Sequence, residues 1–165
     1  MKKLFLILVN IVFIFNISLA TEISGEVEVI DGDTVKINGK KIRLFGIDAP
    51  EKNQICKKNW LSVSFFTFNK NYYCGKVTTK KLKKFILNKK VKCIGNQIDR
   101  YNRLIAICYV RSKDINMWLV RNGLAVSYKK YSSKYLHQEK LAKKEKIGLW
   151  QGKFDMPWEW RKKNK

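Results

Sequence analysis

The sequence predicts an α+β domain of five short strands and three helices. Three observations carry that expectation. Residues 25–47 fall into short runs in which apolar and polar positions alternate, the pattern of half-buried strands. Asn38-Gly39 separates two of these runs and is a strong hairpin signal. Later segments carry apolar stripes at helical spacing, and two of them stop at a glycine, Gly123 and Gly148.

In chain order, Gly25 to Ile30 alternates around Val27 and Val29 and reads as the first strand. Asp31-Gly32-Asp33 is a turn, and Thr34 to Ile37 is the second strand. Lys41 to Ile47 is the third; Ile42 and Leu44 share one face, which sends Arg43 to the other. Lys57 to Tyr73 is crowded with aromatics (Trp60, Phe65, Phe66, Phe68, Tyr72, Tyr73) and is bracketed by cysteines. Such a run is expected to pack on the body of the domain, although exposed aromatics beside a basic groove also suit base stacking. Gly75 to Asn88 reads as a helix, with Val77, Leu82, Phe85 and Ile86 on a loose stripe. Val91 to Ile94 and Leu104 to Val110 are the fourth and fifth strands. Ile115 to Asn122 is a short helix. Ser133 to Lys146 is a longer one, N-capped by Ser132 or Ser133. The tail from 151 to 165 is aromatic, then basic; Trp158 and Trp160 are expected to dock it, and its last residues to fray.

A chain of 165 residues with 45% hydrophobic content accommodates one domain with its own core and is not disordered in character. Residues 1–20 read as a secretory signal peptide: Lys2 and Lys3, an apolar run, and a small-residue cleavage site after Ala20. The alternative is an uncleaved membrane anchor. Removing the segment takes away two lysines and no acids, so the net charge falls from +22 to +20. Charge of this size points to a polyanionic partner, nucleic acid or an anionic surface, although lysine enrichment from a biased genome contributes.

Four cysteines remain, Cys56, Cys74, Cys93 and Cys108, none in a C-x-x-C arrangement, which argues against a zinc ribbon or a thioredoxin-type site. An even count behind a signal peptide reads as two disulfides. A hairpin centred between Arg100 and Tyr101 sets Cys93 opposite Cys108, leaving Cys56 for Cys74. Four buried free thiols would be favoured if the signal reading failed.

Acids are scarce here, so the cluster between Val29 and Glu51 stands out. Asp33, Asp48 and Glu51 sit at turn ends, with Arg43 between them. Carboxylate oxygens of this kind suit a hard divalent cation. A carboxylate beside an arginine suits phosphate-ester chemistry, in which one activates water and the other neutralises developing charge. A second segment reads Asp99-Arg100-Tyr101-Asn102-Arg103. Each piece alone has an ordinary explanation: an Asp in a turn caps backbone, and an arginine at a strand end is a solvated charge.

The order DGDT, then RLFGIDAPE, then DRYNR resembles the thermonuclease family, also called staphylococcal nuclease-like, from about Gly25 to Trp150. The resemblance implies a five-stranded OB-type β-barrel with about three flanking helices, occupying residues 21–150. It implies a Ca²⁺-dependent endonuclease acting on DNA or RNA and leaving 3′-phosphate ends, with no stable protein partner and a monomeric state. Asp33, Asp48 and the Ala49 carbonyl then correspond to calcium ligands, with Asp31 explained equally well by turn chemistry. Glu51 corresponds to the general base. Arg43 and Arg103 correspond to the arginines that stabilise the phosphoryl group, and Arg100, Tyr101 and Tyr128 to substrate-binding residues. Asn102 stands where the family commonly has glycine; asparagine tolerates the left-handed backbone such a turn needs. The aromatic segment 57–73 is longer than the family implies. His137, the only histidine, has no partner pattern. A non-catalytic nucleic-acid-binding OB module is the alternative, and a cationic protein binding anionic envelope polymers is a third. Loss of Glu51, Arg43 or Arg103 would mark the former; all three are present.

Overall fold

The computed structural model describes residues 20–63 and 66–164, without the side chains of residues 60–67. The expected signal segment lies outside the described residues except for Ala20, as do the side chains of Trp60, Phe65 and Phe66.

The barrel is built from a strand pair bent at Glu26, β1 (Thr21–Gly25) and β2 (Val27–Val29), followed by β3 (Thr34–Ile37), β4 (Lys40–Leu44) and β5 (Ile47–Asp48). Asn38 and Gly39 both take positive φ, 49° and 80°, as the tight turn between β3 and β4 demands. A hairpin, β6 (Ile55–Val63) and β7 (Phe66–Tyr73), leads into α1 (Cys74–Ile86). Then come β8 (Val91–Ile98), β9 (Leu104–Val110), β10 (Lys113–Asp114), α2 (Ile115–Arg121), β11 (Val126–Ser127), α3 (Leu136–Lys144), a 3₁₀ turn at Gly148–Gln151 and α4 (Pro157–Lys163).

The main sheet runs β1-β8-β9-β4-β3-β2. Because β1 and β2 form one bent segment, its first half pairs with β8 and its second half with β3, which brings the two edges of the sheet together. This is the five-stranded OB-type arrangement expected. The β4–β9 pairing is parallel and sets Arg43 beside Ile105. Along β9 alternate residues are buried: Leu104, Ala106, Cys108 and Val110. They join Ile37, Ile42, Leu44, Leu82, Ile115 and Leu119 in one core. Ile42 and Leu44 point inward and Arg43 outward, as their alternation requires.

Both disulfides are present, Cys56–Cys74 and Cys93–Cys108. The route to the second differs from the expected one. The turn closes with the Asp99 N–H donating to the Arg103 carbonyl, 2.9 Å, which centres it on Tyr101. An irregularity between Gly95 and Gln97 then shifts the register by one residue, so that Cys93 still faces Cys108.

Other expectations change. Four α-helices are described, not three. The 57–73 segment lies mostly in an antiparallel hairpin pinned at its base by Cys56–Cys74; Phe68 and Tyr73 are exposed, while Tyr72 packs against a second core. Val77 is exposed. α3 begins at Leu136, with Tyr135 rather than a serine at its N-cap, because Tyr135 is drawn fully into the core. The tail docks through Trp158, as expected, and is ordered as a helix through Lys163. It packs Trp150, Phe154, Met156 and Trp158 against Cys56, Cys74, Val126 and Leu149, then forms α4 with Pro157 at its first turn. Among the described residues no helix is long and apolar enough to cross a membrane.

Candidate active site

The turn before β3 is organised by Asp31. One of its carboxylate oxygens accepts from the Asp33 and Thr34 N–H groups at 3.0 and 2.7 Å. That is turn chemistry, and it presents Asp33 rather than Asp31 to the site. Asp33 Oδ2 accepts from the Ala49 N–H at 2.9 Å, locking this turn to the loop after β5. Asp33 Oδ1 accepts from Thr34 Oγ1 at 3.2 Å and pairs with Arg43.

Arg43 therefore sits between two carboxylates. Its Nη2 donates to Asp48 Oδ1 at 2.9 Å and to the Ile47 carbonyl at 3.3 Å. Asp48 is fully buried. Burial lowers the Arg43 guanidinium from its ordinary value, and attraction to Asp48 offsets this only in part.

Arg103 reaches the same place from the β8–β9 turn. Its Nη1 donates to Thr34 Oγ1 at 3.2 Å, one residue from Asp33. Asp99 aims it: Asp99 Oδ2 accepts from Arg103 Nε at 2.8 Å, and Oδ1 accepts from the Tyr101 and Arg103 N–H groups at 2.9 and 3.0 Å. Burial pushes the Asp99 carboxyl up, but these hydrogen bonds and the Arg103 charge outweigh it and hold the group below the usual carboxylate range. Asn102 takes φ 58°, the left-handed angle the turn needs.

Arg100 and Tyr101 are exposed at the tip of this turn. Two cations lie over the Tyr101 ring, with the Arg100 and Arg103 guanidinium carbons 4.9 and 5.4 Å from its centroid. Tyr128 follows β11, and its N–H donates to the Gly46 carbonyl at 2.9 Å. Its phenol is raised by burial and then by the Asp48 charge, so it stands within the field of the carboxylates. His137 is exposed on α3 and takes no part.

Glu51 is at the rim, with its side chain 40% exposed. Its backbone is held by Gln54, whose Oε1 accepts from the Glu51 N–H at 3.3 Å and whose N–H donates to the Glu51 carbonyl at 2.8 Å. Its carboxylate accepts from a residue that sequence reasoning missed. Arg161 Nη1 donates to Glu51 Oε1 at 3.0 Å and to Asp48 Oδ1 at 3.1 Å; Nη2 donates to Asp48 Oδ2 at 2.7 Å. Burial would lower the Arg161 guanidinium, but bonding and attraction to Asp48, then Glu51, raise it. The signal available in the sequence was Pro157 followed by a short aromatic–basic run, which marks a helix start but not its destination.

Asp33, Arg43, Asp48, Ala49, Glu51 and Arg103 thus meet on one face, with Tyr101 and Tyr128 at its sides. The donor set fits a hard cation: its acids are oxygen-only and buried, and Asp33 and Asp48 converge on one positive centre, the Arg43 guanidinium. Among the described residues no three His, Cys, Asp or Glu side chains are grouped so that they could hold a metal ion by themselves. A cation held here would take its remaining oxygens from carbonyls, water and substrate.

An OB-type barrel that brings these carboxylates and arginines to one face belongs, by its family match, to a hydrolase of the nuclease class. Residues 41–152 match the family described as staphylococcal nuclease homologue, and the chain belongs to that family. It is similar to the succinoglycan biosynthesis protein ExoI of Rhizobium meliloti (strain 1021), 32% identical over 134 residues, 79% of this chain and 66% of that protein. It is equally similar to an uncharacterized endonuclease of Haemophilus influenzae, 32% identical over 147 residues, 84% of this chain and 72% of that one. An uncharacterized endonuclease of Escherichia coli O157:H7 is 32% identical over 163 residues, 92% of this chain and 94% of its own length. The chain spans just under two thirds of the Rhizobium protein. The family is generally Ca²⁺-dependent.

Proposed function

We propose that this chain is a Ca²⁺-dependent endonuclease that hydrolyses phosphodiester bonds of DNA or RNA at the face where Asp33, Arg43, Asp48, Glu51 and Arg103 meet. The observation that carries this reading is the bridging of Asp33 and Asp48 by Arg43, with Arg103 linked to the same cluster through Thr34. Asp33, Arg43 and Asp48 come from neighbouring turns and strands, and Arg103 joins them from the distant β8–β9 turn. The endonuclease names of two relatives support the same reading.

Asp33 and Asp48, with the Ala49 carbonyl, would hold Ca²⁺, which supplies charge to the phosphate and orders water beside it. Glu51 orients the attacking water and accepts its proton; its partial exposure keeps it within reach of solvent. Arg43 and Arg103 donate to non-bridging phosphate oxygens, and their forked N–H groups meet the extra charge of five-coordinate phosphorus. Asp99 keeps Arg103 aimed. Arg100, Tyr101 and Tyr128 hold flanking nucleotides by charge and stacking. The two disulfides fit an oxidising compartment, and with the basic, apolar N-terminal segment they support export of residues 21–165, with 151–165 as a C-terminal extension of the nuclease domain.

The test is incubation of the processed chain with single- and double-stranded DNA and RNA, with Ca²⁺ or with chelator. Cleavage that requires Ca²⁺ and leaves 3′-phosphate ends is expected. Binding without cleavage under every condition would make the chain a nucleic-acid-binding module instead.

A further inference from the structure

We infer that Arg161, on the C-terminal helix α4, is a positioning residue of this site that fixes the Glu51 carboxylate against Asp48. The inference rests on the nuclease reading above and goes beyond it, since Arg161 lies outside residues 41–152, which carry the family match.

The geometry is specific. A single nitrogen, Arg161 Nη1, bridges Glu51 Oε1 and Asp48 Oδ1, while Nη2 takes the second Asp48 oxygen. Two carboxylates sharing one donor repel each other without the cation between them. Among the described residues this guanidinium is the only side-chain hydrogen-bond partner of the Glu51 carboxylate. Glu51 is a long side chain at a half-open rim, so without Arg161 its carboxylate would sample several rotamers. A base that must meet a water in one direction loses rate when it wanders.

The tail that delivers Arg161 is built into the domain rather than laid over it. Gln54 is fully buried, and its Nε2 donates to the Asp155 carbonyl at 2.7 Å while its Oε1 holds the Glu51 N–H. One buried amide thus ties the base's loop to the segment carrying the arginine. The Lys57 N–H donates to the Lys153 carbonyl at 2.8 Å. Trp158 stacks on Tyr128, with centroids 5.5 Å apart and planes 7° apart. Backbone bonds, a buried amide and a stacked indole describe a permanent wall of the site. A detachable plug would leave the catalytic loop satisfied without it, whereas here that loop depends on the tail.

The experiment is a double-mutant cycle in the full processed chain with Arg161→Gln, Glu51→Gln and both together, using a defined oligonucleotide in Ca²⁺. Arg161→Gln should lower kcat by about 10–10²-fold, as loss of a group that orients a reacting ligand does, with a much smaller change in KM. On the Glu51→Gln background it should cost little more, because it acts through Glu51. Arg161→Lys should recover part of the loss, keeping the charge without the two-pronged geometry. Thermal unfolding of the metal-free variants reads the same pair without catalysis, and a non-zero coupling is expected there too. If Arg161→Gln does not fold, Arg161→Lys alone decides, with turnover below wild type expected. Full additivity in the cycle, wild-type turnover in Arg161→Lys, or a rise in turnover on losing Arg161 would overturn the inference; the last would make α4 an inhibitory latch. An active Glu51→Gln enzyme would instead overturn the nuclease mechanism itself.

Discussion

Gly75 packs directly on the carbonyl of Glu51: a methyl group at residue 75 would overlap that oxygen and crowd the Pro50 carbonyl. The first turn of α1 therefore forms the floor under the proposed general base, and Cys74, disulfide-bonded to Cys56, fixes that floor in place. Gly75→Ala should push the Glu51 loop outward, costing about 1–3 kcal/mol as overpacking does, and lowering turnover more than substrate affinity. Urea denaturation and steady-state kinetics on the variant measure both; unchanged stability and turnover would show that the loop yields freely.

Asp99 offers a separate handle. Its carboxyl is held below the usual range, so it contributes stability above its unfolded-state pKa, and that contribution is lost as pH falls through the lower folded-state value. Asp99→Asn should flatten this part of the acid-unfolding curve. It should also release Arg103 and reduce turnover by about 10–10²-fold, as removal of an orienting partner does. Acid titration of the fold, followed by circular dichroism, and kinetics near neutral pH check the two halves independently.

Asp114 joins two elements away from the site. It caps α2 by accepting from the Met117 N–H at 2.8 Å, and it accepts from the Tyr135 hydroxyl at 3.0 Å. Asp114→Ala should cost about 2–3 kcal/mol, from a lost cap and an orphaned buried hydroxyl. Burial, then the Asp114 charge, raises the Tyr135 phenol above its ordinary 10.0. Its contribution to stability is thus present below that pH and is lost as pH rises above it. Ultraviolet titration should show Tyr135 protonated until the fold gives way.

Substrate binding should be strongly salt-dependent. With +20 on the processed chain, phosphate contacts release counterions, and affinity should fall by at least about tenfold between 50 and 200 mM salt. Fluorescence anisotropy with a labelled oligonucleotide in chelator measures it; a flat response would argue against a polyanionic substrate.

Much of this was legible in the sequence because it is local. Alternation placed Ile42 and Leu44 inside and Arg43 outside, and Asn38-Gly39 fixed the β3–β4 turn. The cysteine pairing emerged from strand register, although a one-residue shift near Gly95 had to compensate for a turn centred on Tyr101. What was not legible depends on distance along the chain. Arg161 lies 110 residues from Glu51, and no periodicity reports such a contact. The 57–73 hairpin was hidden because its aromatics do not alternate cleanly. Tyr135 displaced the expected serine cap of α3 because filling the core outweighs a hydrogen bond that water can replace.

The central claim is that arginines beside a carboxylate cluster stabilise phosphorus during attack by water activated at Glu51. The most direct test is the turnover of Arg103→Ala with Ca²⁺ and a defined oligonucleotide, on protein shown to be folded by circular dichroism. Arg103 should act mainly where charge develops, so turnover should fall by roughly 10²–10⁵-fold while binding changes little, and Arg103→Lys should restore only part of the loss. Near wild-type turnover in folded Arg103→Ala would contradict the account.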